Sequence, residues 1–204
     1  MSETGYIKYK CNWIQTGPLP ETRITILNQW RNKLRNLQLI GSKGGIGYGN
    51  ISERTGDSNQ FVISGSNTGH LEYLDGTGYT SVINYDFLHN TLSCEGPIRA
   101  SSESLTHAAV YSSNPRVKGV IHVHSLKLWL SLIDKYPTTS REVEYGTPEM
   151  AAEMIRVLKE QQSDRGIVVM GGHREGIIAF GRTLSEAGEL ILQCFCNPEK
   201  YPEN

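Results

Sequence analysis

The sequence predicts an α/β sandwich on a largely antiparallel sheet, for two reasons. Strand-like and helix-like stretches are interleaved along the chain, and several of the strands are short and consecutive. A doubly wound parallel sheet needs a crossover between successive strands, so a run of adjacent short strands argues against it. At 204 residues the chain suits one domain with a sizeable core. No internal repeat or low-complexity tract divides it, so residues 1–204 are taken as a single domain.

The elements follow in order. After Pro20, Ile24, Leu27, Trp30, Leu34 and Leu37 recur at steps of three and four, which predicts a helix ending before Gly41. The stretch from Gly41 to Asn50 then carries five glycines in nine positions. Strands are expected near 47–54, 60–65 and 81–87, where Phe61-Val62-Ile63 and Val82-Ile83 are bounded by turn residues. Ser101 or Ser102 reads as the N-cap of a helix to about Tyr111. Val117 to His124 reads as a buried strand, followed by a helix over roughly 125–134. Thr147 as cap and Pro148 at the first helical position open a helix to about Gln162. Gly166–Met170 and Gly176–Phe180 read as paired strands, and Ser185 as the cap of the last helix.

Composition narrows the function. Hydrophobic residues make up 38% and charged residues 20%, as in ordinary soluble globular proteins. Lys and Arg number 20 against 21 Asp and Glu, so no broad basic field favours nucleic acid or an anionic membrane. A small-molecule partner is expected instead. No apolar run is long enough for a membrane span, and Met1-Ser2-Glu3-Thr4-Gly5 lacks the order of a signal peptide, so a cytoplasmic location is expected. Cys11, Cys94, Cys194 and Cys196 then read as free thiols, the last two packed near a helix end.

Chemistry concentrates in a few residues. On a strand, residues two apart share a face, so His122 and His124 project together with Val120, while Ile121 and Val123 bury the other side. Two such imidazoles can chelate one metal ion or form a hydrogen-bonded structural pair. His173 follows a second buried strand and sits in a Gly171-Gly172 turn, where backbone can approach a site closely. Three histidines leave a coordination position open, which is the catalytic arrangement of zinc. Glu103, near the start of the preceding helix, can complete the site or move a proton; a helix-dipole role is its plainer reading. His107, four residues on, lies on the same helical face, where orienting Glu103 and plain packing are equally open. His70 and His89 fall in loop sequence and read as solvated. Three small-residue segments can offer N–H groups to an anion: the 41–50 loop, Ser64 to Gly69, and Ser101-Ser102. Together they point to a phosphorylated or polyhydroxy substrate.

These residues resemble the class II aldolase/adducin superfamily. Gly49-Asn50-Ile51-Ser52-x-Arg54 and Ile63 through Gly69 look like its two phosphate loops. Ser101-Ser102-Glu103-x3-His107 is similar to its helix start, and Val120 through Ser125 to its metal strand. Gly146-Thr147-x-Glu149-x-Ala151, His173 and Phe180-Gly181-x-x-Leu184-x-x-Ala187 extend the match over about residues 22–195. The resemblance implies a three-layer α/β/α sandwich and a cyclic tetramer with interfacial sites. It also implies Zn2+ or another divalent metal on His122, His124 and His173, with Glu103 as acid–base residue. Gly49, Asn50, Thr68, Gly69, Ser101 and Ser102 match its phosphate-holding positions.

The expected activity is a metal-dependent lyase cleaving a C–C bond in a small phosphorylated sugar or hydroxy-carbonyl compound, through an enediolate. A sugar-phosphate dehydratase or epimerase, and a non-catalytic adducin-like binding domain, are the alternatives. Two departures mark a divergent branch. His173 is followed by Arg174-Glu175-Gly176 rather than directly by glycine, and the family's leaving-group tyrosine has no aligned counterpart, with Tyr136 and Tyr145 nearby.

Overall fold

A computed structural model describes residues 7–197. The first half of the chain runs β1 (Lys10–Gln15), α1 (Glu21–Asn36), β2 (Gly41–Lys43), β3 (Ile46–Tyr48), β4 (Asn50–Arg54), β5 (Phe61–Ser64), β6 (Tyr79–Asp86) and β7 (Thr91–Gly96). The second half runs α2 (Ser104–Ser113), β8 (Gly119–His124), α3 (Leu126–Leu132), α4 (Pro148–Gln161), β9 (Gly166–Val169), β10 (Gly176–Gly181) and α5 (Leu184–Cys196). Eight strands form one sheet in the order β1-β7-β6-β5-β4-β8-β10-β9, while β2 and β3 form a separate hairpin. Every pairing in the large sheet is antiparallel except that of β1 with β7.

Alternation along the strands divides the core in two. On one face Phe61, Ile63, Val120, Val168, Ile178 and Phe180 pack with α2 and α4 side chains such as Ala108, Ala109, Met150 and Met154. On the other, Val62, Ile121, Val123, Val169, Ile177 and Ala179 pack with Ile24 and Leu27 of α1, Leu128 of α3 and Ile191 of α5. A sheet apolar on both faces must be covered on both, and the result is the three-layer α/β/α sandwich. The helices show the matching patterns: Met150, Ala151, Met154, Val157 and Leu158 make the buried stripe of α4. Residues Ser104 to Tyr111 of α2 are buried all round.

Two expected caps are corrected. Neither Ser101 nor Ser102 caps α2, which starts at Ser104 with Glu103 at the cap position and no side-chain cap bond. Ser101 instead closes a turn, its carbonyl accepting from Ser104 N at 3.0 Å and Ser104 Oγ at 2.7 Å. Thr183, not Ser185, caps α5. Thr183 has the extended backbone a cap requires and its hydroxyl accepts from Glu186 N, whereas Ser185 already lies inside the first turn and bonds Trp30. Thr147 and Pro148 open α4 as expected. All four cysteines are free, with Cys194 buried and Cys196 exposed at the end of α5. Among the described residues, no helix is long and apolar enough to cross a membrane.

Candidate metal centre

Strand β8 runs between β4 and β10, with His122 opposite Asn50 and His124 opposite Gly176. Its alternation holds both imidazoles on the face that Val120 shares, as the sequence predicts. His173 comes from the β9–β10 turn. That turn is pressed against its neighbours: a Cβ on Gly172 would lie 1.9 Å from the Val143 carbonyl oxygen, and one on Gly171 2.2 Å from that of Thr139. Only glycine fits this approach.

The three histidines converge. Their ligand nitrogens all lie within 4.8 Å of one another, and Nε2 of His124 stands 3.0 Å from Nε2 of His173. His122 and His173 are buried, and His124 is the most exposed of the three. Burial lowers the pKa of all three: His124 falls to about 4, while His122 and His173 are driven well below the usual imidazole value, with neighbouring histidines adding to the effect. All three are therefore neutral at neutral pH, the form that binds metal.

Glu103 is buried beside them. Its Oε2 accepts from Thr106 Oγ1 at 2.7 Å, and burial raises its pKa to about 7 despite that bond. Glu103 Oε1 and His122 Nε2 are buried without a hydrogen-bond partner. Leaving such atoms unpaired is costly. Both are atoms of kinds that bind metal, and the three histidines, which converge without Glu103, form a donor set that fits a divalent cation. His107 is fully buried with Nδ1 2.7 Å from Ser52 Oγ, which also meets Tyr111 Oη at 2.8 Å. Its imidazole thus meets Ser52 of the sheet, while only its backbone N–H reaches Glu103, donating to the carbonyl oxygen at 3.1 Å.

A pocket of about 400 Å³, counted to its open mouth, brings the predicted residues together. Gly49, Asn50, Thr68, Gly69, Ser101 and Ser102 line it together with Glu103, His122, His124 and His173. Sequence reasoning missed Tyr48 and Asn67 and left Tyr145 unplaced; all three line the pocket. Tyr48 stacks on His124 with ring centroids 5.4 Å apart, and Tyr145 meets His173 at 4.4 Å. Asn67 Oδ1 accepts from Gly47 N at 2.7 Å, tying two of the small-residue loops together. Tyr136 lies elsewhere, buried in the α3/α5 core with its hydroxyl 3.6 Å from Cys194 Sγ. Arg31, inside the apolar stripe of α1, is 1% exposed. Its guanidinium donates to the carbonyls of Thr68, Leu71 and Glu72, which holds the loop carrying Thr68 and Gly69.

Comparison with known proteins agrees with this geometry. Residues 44–194 match the model of the family described as class II aldolase and adducin N-terminal domain, and the chain belongs to that family. Human gamma-adducin is 33% identical over 98 residues, which is 42% of this chain and 14% of gamma-adducin, so the chain spans about one-seventh of that relative. Among solved structures, L-fuculose 1-phosphate aldolase superposes with a TM-score of 0.64 at 19% identity, covering 91% of each chain. An aldolase II superfamily protein from Pseudomonas syringae gives a TM-score of 0.59 at 16% identity, over 88% of this chain and 74% of that one. At these identities the structural likeness is one of fold.

Proposed function

We propose that the protein is a divalent-metal-dependent lyase of the aldolase type, acting on a small phosphorylated sugar or hydroxy-carbonyl compound. The observation that carries this is the convergence of three neutral histidines and one buried, unpartnered carboxylate oxygen in a pocket walled by small hydroxyl and glycine residues.

His122, His124 and His173 are the residues to hold the ion, with zinc the expected occupant. A bound divalent cation supplies Lewis-acid stabilisation of negative charge developing on a substrate carbonyl oxygen. Glu103, with its pKa near 7, is matched to accept and return a proton at neutral pH. Gly49, Asn50, Thr68, Gly69, Ser101 and Ser102 hold the phosphate and fix the reacting carbons relative to Glu103. Of the two tyrosines that the sequence leaves open, Tyr145 lines this pocket and Tyr136 does not, so Tyr145 rather than Tyr136 is the one to protonate a leaving fragment. A cytoplasmic location and a cyclic tetramer belong to the same reading.

A second reading, a non-catalytic binding domain, is favoured by the match to gamma-adducin. Metal content separates the two. The purified wild type is expected to carry about one divalent ion per chain and His122→Ala to carry none. A wild type that stays metal-free after reconstitution overturns the lyase. Glu103→Gln is expected to keep the metal and lose at least about a hundredfold in turnover on the sugar phosphate it cleaves; unchanged turnover removes Glu103 from the chemistry.

A further inference from the structure

The family match begins at Gly44, so β1 and the residues leading into it lie outside it. That segment nevertheless reaches the walls of the pocket. It adds to the free edge of β7, and its two entering residues each grip a part of the site. The Tyr9 hydroxyl lies 3.0 Å from the Ala100 carbonyl oxygen and 2.9 Å from that of Ser101, on the turn that leads into Glu103. Lys8 Nζ stands 3.9 Å from the centroid of the Tyr145 ring and 3.0 Å from Glu144 Oε1.

The Lys8 ammonium acts on the metal centre in two ways. Its charge adds to burial in lowering the pKa of His173, counters burial by lowering that of Glu103, and opposes a bound cation. Its contact with Tyr145 bears on His173 through one intermediate, so a loss of affinity on removing the charge reports the ring. The Tyr145 ring lies 4.4 Å from the His173 ring, with the planes 38° apart. The three histidines are not held alike. His122 is fixed by the sheet ladders on both sides of β8, and His124 by the β10 ladder on one side and a backbone bond to Leu39 O at 2.9 Å on the other, whereas His173 stands on a turn. Backbone bonds from His173 N to Met170 O and from Gly176 N to His173 O fix its main chain, while the imidazole packs on Gly176 and meets the rings of His122, His124 and Tyr145. An aromatic ring can orient a neighbouring imidazole only while it is itself held. Core packing holds the Tyr145 ring, and a cation over its face adds to that hold, most strongly where water is excluded. Lys8 Nζ is buried there, with the half-exposed Glu144 carboxylate 3.0 Å away.

We propose that Lys8 is a positioning residue of the metal centre. Its ammonium pins the Tyr145 ring, and that ring holds the His173 imidazole at its ligand angle. The inference rests on the metal reading of the three histidines. It places the completion of the site partly in an N-terminal strand beyond the family-matched region.

The test uses the full chain and Co2+ as the probe, with dissociation constants read from the visible absorption of the bound ion and folding checked by thermal melts. Lys8→Met keeps most of the side-chain stem and is expected to weaken Co2+ binding about tenfold, with Lys8→Arg restoring most of the loss. Tyr145→Ala is expected to weaken binding at least as much, and adding Lys8→Met to it to cost nothing further, because Lys8 acts through that ring. Wild-type affinity in Lys8→Met overturns the inference, as do losses that multiply in the double variant. A Lys8→Met loss that arginine does not restore assigns Lys8 a packing role and overturns it as well. A wild type that takes up no Co2+ overturns the metal reading and this inference with it. Uptake by the wild type with Lys8→Met unchanged overturns this inference alone.

Discussion

Four buried imidazoles and one buried carboxyl set the acid behaviour of the metal-free protein. His107 is driven to about 3 by burial, His124 to about 4, and His122 and His173 well below their usual value. A group whose pKa is lowered on folding gives stability that is full above its unfolded value, here 6.5, and is lost as pH falls toward the folded one. Glu103, raised from 4.5 to about 7, has the opposite sign: its contribution is full below 4.5 and is lost as pH rises through 7. The histidines outnumber it, so the net effect is acid destabilisation. Chemical denaturation of the metal-free chain should show stability falling by on the order of a few kcal/mol from pH 7 to pH 4.5. The fall should steepen in Glu103→Gln, where the opposing carboxyl is gone. A flat profile would mean that these imidazoles are hydrated in solution.

At the scale of elements, the turns and loops that carry the site depend on close backbone approach and on one buried cation. Ala at Gly172 would place a methyl 1.9 Å from the Val143 carbonyl oxygen, so the turn that presents His173 must shift. Gly172→Ala is expected to weaken metal binding about tenfold or more even where the chain still folds, measured as for the Lys8 variants; unaltered affinity would show that the turn yields without moving the histidine. Arg31 is the second such dependence. Its guanidinium meets three loop carbonyls, a fork that lysine does not reproduce. Arg31→Lys should therefore raise KM for the phosphorylated substrate and spare metal content. Equal KM would separate the 68–72 loop from phosphate binding.

The same elements explain what was legible in sequence. β5, β8, β9 and β10 announced themselves because strands buried on both faces read as apolar runs, and α4 because Thr147-Pro148 is a local start signal. β1 and β7 read KCNWIQ and TLSCEG, without a sustained apolar run, and their place comes from pairing with each other and with β6. Arg31 was hidden for the opposite reason, as a charge inside an apolar stripe whose partners are backbone carbonyls some 40 residues away. The histidines and Glu103 were legible through spacing and residue type. Tyr48 and Lys8 were not, and Tyr145 was only one of two candidates, since ring contacts across separate segments leave no periodic trace in the sequence.

At the scale of the whole molecule, the candidate ligands exist as a set only when the sheet is complete. His124 and His173 are 49 residues apart in the chain and meet through the β8–β10–β9 pairing. An unfolded chain offers no comparable site, so the free energy of binding a metal there becomes folding free energy. With free ion at about 100 times its dissociation constant, the linkage amounts to about 2.7 kcal/mol. For a chain of this size, that raises the melting temperature by about 5–10 °C. The shift should disappear on chelation and be absent in His122→Ala, whose own melting point should be insensitive to added zinc. If zinc stabilises wild type and His122→Ala alike, the ion binds elsewhere and the three histidines are a packed cluster. If it stabilises only the wild type, one ion couples the central strand to the β9–β10 turn, and the Lys8 variants then decide whether the edge strand is coupled with them.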